Sequence, residues 1–169
     1  PQTLIIMGVA GSGKSTVGKL LAAELGYQFL EGDDFHSDEA KAMMASGTPL
    51  RSDLRQEWVD RLAVTLTQHA AAGNSCVLSY SGLIASQRQQ LRDAGSQTRF
   101  IYLQGSAELL AGRLAARSGH YMPASLLQSQ LDSMQSSSSE PDVQPFSIEQ
   151  PPAVLLQQIL HWLEPLSPG

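Results

Sequence analysis

Residues Gly8-Val9-Ala10-Gly11-Ser12-Gly13-Lys14-Ser15 match the pattern G-x-x-x-x-G-K-[ST] in full. The flanks constrain the fold as much as the motif does. Thr3 to Met7 is a short apolar run that enters the first glycine, which predicts a buried strand. Ser15 to Leu25 places Val17, Leu20, Leu21 and Leu25 on one helical face, and Gly26 closes it. A strand, a glycine loop and a helix in that order form a cradle for phosphate. Glycine lets the backbone curl until its N–H groups face the oxygens, and the helix N-terminus favours an anion. Gly8, Gly11, Ser12, Gly13, Lys14, Ser15 and Thr16 are the candidate nucleotide-binding residues. Lys14 is expected to reach the β- and γ-phosphates, and the Ser15 hydroxyl to bind Mg²⁺. The motif points to a nucleoside triphosphate such as ATP. It does not separate a kinase from a GTPase, an ATPase or a regulated binder.

The rest of the chain alternates strands with helices. Gln28 to Leu30, Cys76 to Tyr80 and Phe100 to Leu103 read as strands, and Val143 to Ile148 as a final edge strand broken by Pro145. Helices are predicted from Ser37 to Ser46, from Ser52 to about Ala72 and from Gln87 to Ala94. Others follow Ser106 to about Arg117, Pro123 to about Met134, and Leu155 to Leu163. Trp58, Leu62, Val64 and Leu66 are packing candidates on the longest helix, and Leu109, Leu110 and Leu114 on the one after Ser106. The Ser136 to Pro141 stretch is low in complexity and reads as a mobile surface loop. This order predicts a three-layer α/β fold of the P-loop NTPase kind. About five parallel strands carry helices on both faces, in one domain over residues 1–169.

Composition narrows the function. Lys plus Arg number 11 against 16 Asp plus Glu, a formal charge of −5, and a nucleic-acid binder needs a basic face. No apolar run approaches the roughly 18 residues of a membrane span. The single cysteine, Cys76, precludes an internal disulfide and fits a reducing cytoplasm. His69 and His161 stand on helices without companion ligands, which argues against a transition-metal site. A homodimer stays open.

The strand ending in Ser79-Tyr80-Ser81 has no acidic residue, so a Walker-B aspartate is missing there. Carboxylates follow the second strand instead, in Glu31-Gly32-Asp33-Asp34-Phe35-His36. That placement suits a small-molecule kinase, with one carboxylate supporting Mg²⁺ and another orienting the acceptor hydroxyl. The plainer alternative is an acidic turn that caps a helix.

The P-loop, Gly32-Asp33-Asp34-Phe35-His36, Met44-Ala45-Ser46-Gly47-Thr48-Pro49-Leu50, Arg55 and Trp58 together resemble the bacterial gluconate kinases. So do Arg113-Leu114-Ala115-Ala116-Arg117-Ser118-Gly119-His120-Tyr121-Met122-Pro123 and Leu126-Leu127-Gln128-Ser129-Gln130. The resemblance runs from about residue 4 to residue 135. It implies a fold like that of nucleoside and shikimate kinases, ATP with Mg²⁺, and phosphoryl transfer to the terminal hydroxyl of D-gluconate. Asp33 then orients the acceptor, and Arg55 is a carboxylate clamp or else an ordinary surface arginine. His36, Ser81, Arg88 and His120 are acceptor-side candidates. Arg113 and Arg117 share a helix face and either pair with the helix dipole or serve a lid near residues 117–127 that closes over ATP.

Six positions depart from the family pattern. Ala40 stands for an asparagine, Met43 and Ile84 for lysines, Leu54 for an aspartate, Glu57 for the proline before the tryptophan, and Tyr80 for a cysteine. These changes predict an acceptor side weaker than the nucleotide side, with Ile84 bordering the cleft. They keep open a kinase for another small polyol acid such as shikimate, or a nucleotide-binding module without transfer activity.

Overall fold

The computed structural model describes residues 1–116 and 124–164. Five strands form one sheet: β1 (Thr3–Met7), β2 (Gln28–Glu31), β3 (Cys76–Tyr80), β4 (Arg99–Gln104) and β5 (Val143–Ser147). The order is β2-β3-β1-β4-β5 and every pairing is parallel. Seven helices are described: α1 (Lys14–Leu25), α2 (Asp38–Ala45), α3 (Ser52–Ala71), α4 (Ala85–Ala94), α5 (Ala107–Ala116), α6 (Ala124–Ser133) and α7 (Pro152–Leu163). None of them is long and apolar enough to cross a membrane.

Alternation along β1 divides the interior into two cores. Leu4 and Ile6 meet Val17 and Leu21 of α1, Leu110 and Leu114 of α5, and Leu155 and Ile159 of α7. Ile5 and Met7 face the opposite way, onto Trp58, Val59, Leu62 and Leu66 of α3 and Leu91 of α4. A sheet buried on both faces requires continuous apolar strands, and β1 and β3 are buried at every position. β5 takes the edge, where Pro145 deprives the ladder of only one donor.

Two expectations change. Val64 is 57 % exposed, because it lies two residues, about 200°, round the helix from Leu62. Leu20 falls at the edge of the α1 stripe and is also exposed. The serine-rich segment lies on the surface as expected, and within it Glu140 accepts from Arg88 and Arg92.

Candidate active site

The C-terminal ends of β1, β2 and β3 converge on one cleft, where an open parallel sheet binds its ligands. β1 delivers the P-loop. Gly13 caps α1 with φ 91°, a left-handed conformation that only glycine adopts without cost. Lys14 donates to Val9 O at 3.2 Å, which folds its stem along the loop.

β2 delivers the carboxylates. Its last residue, Glu31, is followed by a 3₁₀ turn over Gly32–Phe35. Gly32 crosses the end of β3 so closely that a Cβ would lie 2.0 Å from Ser79 O, so no other residue fits. Gly32 N donates to Ser79 Oγ at 3.1 Å, and Trp58 Nε1 donates to Gly32 O at 2.7 Å. Ser79 Oγ donates in turn to Glu31 Oε1 at 2.6 Å. The other oxygen, Glu31 Oε2, accepts from Ser15 Oγ at 2.5 Å. The carboxylate missing from β3 therefore arrives from β2 and is aimed by a β3 serine. A carboxylate beside a P-loop hydroxyl is a hard oxygen pair of the kind Mg²⁺ takes.

Asp33 projects from the turn into the cleft, where water reaches most of its side chain. Protein surrounds the concave wall, and this dehydration raises the carboxyl pKa. Lys14 opposes the rise, while Glu31 and Asp34 reinforce it. His36 is buried beneath, its ring stacked on Trp58 at a centroid distance of 4.0 Å. Burial, helped by Arg61, Lys41 and Arg55, pushes its pKa down to about 4. The imidazole is thus neutral near pH 7, and its 3.8 Å separation from Asp33 is not an ion pair. His36 Nδ1 is buried without a hydrogen-bond partner.

Arg55, in the second turn of α3, lines the same cleft and is half-buried. Dehydration lowers its pKa, and only Tyr80 opposes that. Among the described residues no carboxylate lies within ion-pair distance of it.

Gly11, Gly13, Lys14, Ser15, Asp33, His36, Arg55 and Ser81 all line this cleft. Gly8, Ser12, Thr16 and Arg113 do not. Gly8 N donates to Ser81 O at 3.1 Å, Ser12 is buried, and Thr16 faces solvent. Arg113 donates to Ile148 O at 2.5 Å. Arg88 is a correction: its side chain has no exposed surface and is bound to Glu140, so it does not touch an acceptor. Arg117, Gly119, His120 and Tyr121, with most of the expected lid, lie outside the described residues.

None of the six departures lines the cleft among the described residues. Ala40, Leu54 and Tyr80 are buried. Ile84, expected at the border, packs half-buried against the α1 side of the core. The sequence reading left open which carboxylate of the acidic stretch serves Mg²⁺, and gave Trp58 only as a packing residue and Gln130 only as part of a family motif. Gln130 Oε1 accepts from Ala10 N at 2.7 Å and ties α6 to the P-loop. The signal for Glu31 was its place at the last residue of β2, directly ahead of the acidic turn.

A family model described as an AAA domain matches residues 4–141. The gluconokinase of Gluconobacter oxydans is 38 % identical over 161 residues, covering 95 % of this chain and 90 % of the relative. A crystal structure of a gluconokinase from Sinorhizobium meliloti 1021 is 36 % identical, covers 98 % of this chain and 93 % of its own, and superposes with a TM-score of 0.89. Shikimate kinase from Aquifex aeolicus, at 18 % identity, 96 % coverage of both chains and a TM-score of 0.65, shares the fold. A parallel sheet with a P-loop after β1, and an acidic turn facing it after β2, defines a P-loop small-molecule kinase. Within that class the chain belongs to the gluconokinase family, as the identity over nearly the whole length of its relatives establishes.

Proposed function

We propose that this chain transfers the γ-phosphoryl group of ATP to the terminal hydroxyl of D-gluconate, releasing ADP and 6-phosphogluconate. The observation that carries this is Arg55, a half-buried cation in the cleft wall with no acidic partner among the described residues. Its planar fork matches a carboxylate in two places at once, and a partly dehydrated wall strengthens the pair. An acid pinned there offers its distal hydroxyls to Asp33 and Lys14, which line the same cleft.

Asp33 orients the acceptor hydroxyl and takes its proton as the oxygen attacks the γ-phosphorus. The phosphorus–oxygen bond to the β-phosphate breaks, and its electron pair leaves with ADP. Lys14 and the N–H groups of the P-loop offset the charge on the phosphate oxygens. Neutral His36 lines the cleft beside Asp33 and presents an uncharged imidazole to the sugar hydroxyls. Ser15 and Glu31 would hold Mg²⁺, which when bound neutralises charge across the β- and γ-phosphates. Arg117 keeps the role the family resemblance implies, neutralising charge on the transferring group as the site closes.

An ADP-release assay with D-gluconate, shikimate and sorbitol tests this. Turnover is expected with gluconate and not with sorbitol, which lacks the carboxylate. Turnover with shikimate alone, or bound ATP with no transfer to any acceptor, would overturn it.

A further inference from the structure

Among the described residues, Arg88 heads the fully buried side chains in size. Its charge is met by Glu140, with Nη2 donating to Oε2 at 2.7 Å and Nε to Oε1 at 3.1 Å. The remaining donors go to two backbone carbonyls far apart in sequence. Nη1 donates to Gly82 O at 2.5 Å, and Nη2 donates to Ser136 O at 3.0 Å.

These carbonyls belong to two segments, each joined to residues that line the cleft. Gly82 has φ 71° and lies against Met7 of β1, where a Cβ would come within 2.8 Å of the Met7 Cβ. Its neighbours Ser81 and Leu83 both line the cleft, and Ser81 O accepts from Gly8 N of the P-loop. Ser136 lies three residues beyond α6, the helix that lends Leu126, Ser129 and Gln130 to the cleft lining. A second joint runs beside the first. Gln135 N donates to Leu83 O at 2.8 Å, and Ala85 N donates to Gln135 Oε1 at 2.7 Å.

We propose that Arg88 is a positioning residue of the acceptor site, which ties the turn carrying Ser81 and Leu83 to the segment that follows α6 and so fixes how these two parts of the cleft lining sit against each other. It touches neither acceptor nor nucleotide and acts through Ser81. This rests on the kinase reading above. A buried ion pair alone is weak evidence for stability, so a purely structural brace predicts something different.

Arg88→Lys separates the two. Lysine keeps the charge opposite Glu140 but lacks the planar fork needed to hold both carbonyls at once. Steady-state kinetics are measured for the parent, Arg88→Lys, Ser81→Ala and the double variant, with the folded fraction of each taken from calorimetry. The Michaelis constant for gluconate is expected to rise about tenfold in Arg88→Lys, with that for ATP within twofold. Ser81→Ala is expected to add little further in the Arg88→Lys background, since residues acting as one unit are non-additive. Should Arg88→Lys not fold, Gln135→Ala loosens the parallel joint from an exposed position, and a severalfold rise confined to gluconate is expected. Unchanged constants with a smaller folded fraction would overturn the proposal, as would additive effects or an equal rise in both constants. A parent with no gluconate turnover would instead refute the kinase reading, and this inference with it.

Discussion

Replacing Arg55 with lysine keeps the positive charge in the cleft wall and removes the fork. Two charge-assisted hydrogen bonds to the acid become one, and each is worth about 1.5–3 kcal/mol. That loss raises the Michaelis constant for gluconate by about one to two decades. The constant for ATP should change less than twofold, because the P-loop residues stand on β1 and α1 while Arg55 stands on α3. Arg55→Met supplies the complementary measurement. Arg55 is half-buried with no acidic partner among the described residues, so its charge costs stability in the free protein. Removing it should gain on the order of 1 kcal/mol, which raises Tm by about 2–4 °C in a chain of this size, while gluconate affinity collapses. Both variants are read by coupled ADP release at saturating ATP and by calorimetry. A gluconate constant within twofold of the parent in Arg55→Lys would refute the clamp. A fall in Tm for Arg55→Met would show that the guanidinium is satisfied within the fold.

Lys14→Ala should abolish phosphoryl transfer with Tm little changed, since Lys14 lines the cleft rather than the core; turnover equal to the parent would sink the P-loop assignment. Glu31→Gln should raise the Mg²⁺ concentration needed for half-maximal rate by about 10–100-fold, the usual cost of losing an oxygen that orients a metal site; an unchanged Mg²⁺ titration would remove Glu31 from that site. His36 has a folded-state pKa of about 4 against 6.5 unfolded, so the unfolded chain takes up the proton first. Its contribution is therefore full above about pH 6.5 and is lost as the pH falls toward about 4. Tm profiles of parent and His36→Gln should diverge over that window, the parent losing stability toward pH 4. Ile84→Lys should give no gain in gluconate turnover and a lower Tm, because Ile84 packs against the core instead of facing the cleft; a tenfold gain in turnover would contradict that placement.

Most of the fold was legible because its signals are local. Each strand is a short apolar run, each helix carries a stripe, and Ser37 and Ser106 cap helices by accepting from the backbone three residues on. Pro145 was read correctly as an edge residue for the same reason. The site was legible where it is written as motifs, in the P-loop, the acidic turn and Arg55. What escaped depends on partners distant in sequence. Arg88 looked like an acceptor ligand because its partner Glu140 lies 52 residues away. Glu31 could not be singled out among the carboxylates of the acidic stretch because Ser79, which aims it, is 48 residues on. The departures at Ala40, Leu54 and Tyr80 looked like erosion of the acceptor side, yet all three side chains are buried behind the wall. Val64 shows the remaining limit: an apolar residue near a stripe need not belong to it.

The central claim is phosphoryl transfer to the far end of a sugar acid held by its carboxylate. The most direct measurement is ³¹P NMR of a reaction containing the protein, ATP, Mg²⁺ and D-gluconate. The account predicts that ATP is consumed mole for mole with the appearance of ADP and a single phosphomonoester on the terminal carbon of gluconate. A spectrum in which ATP persists with gluconate present, or in which inorganic phosphate is the only new product, would contradict it.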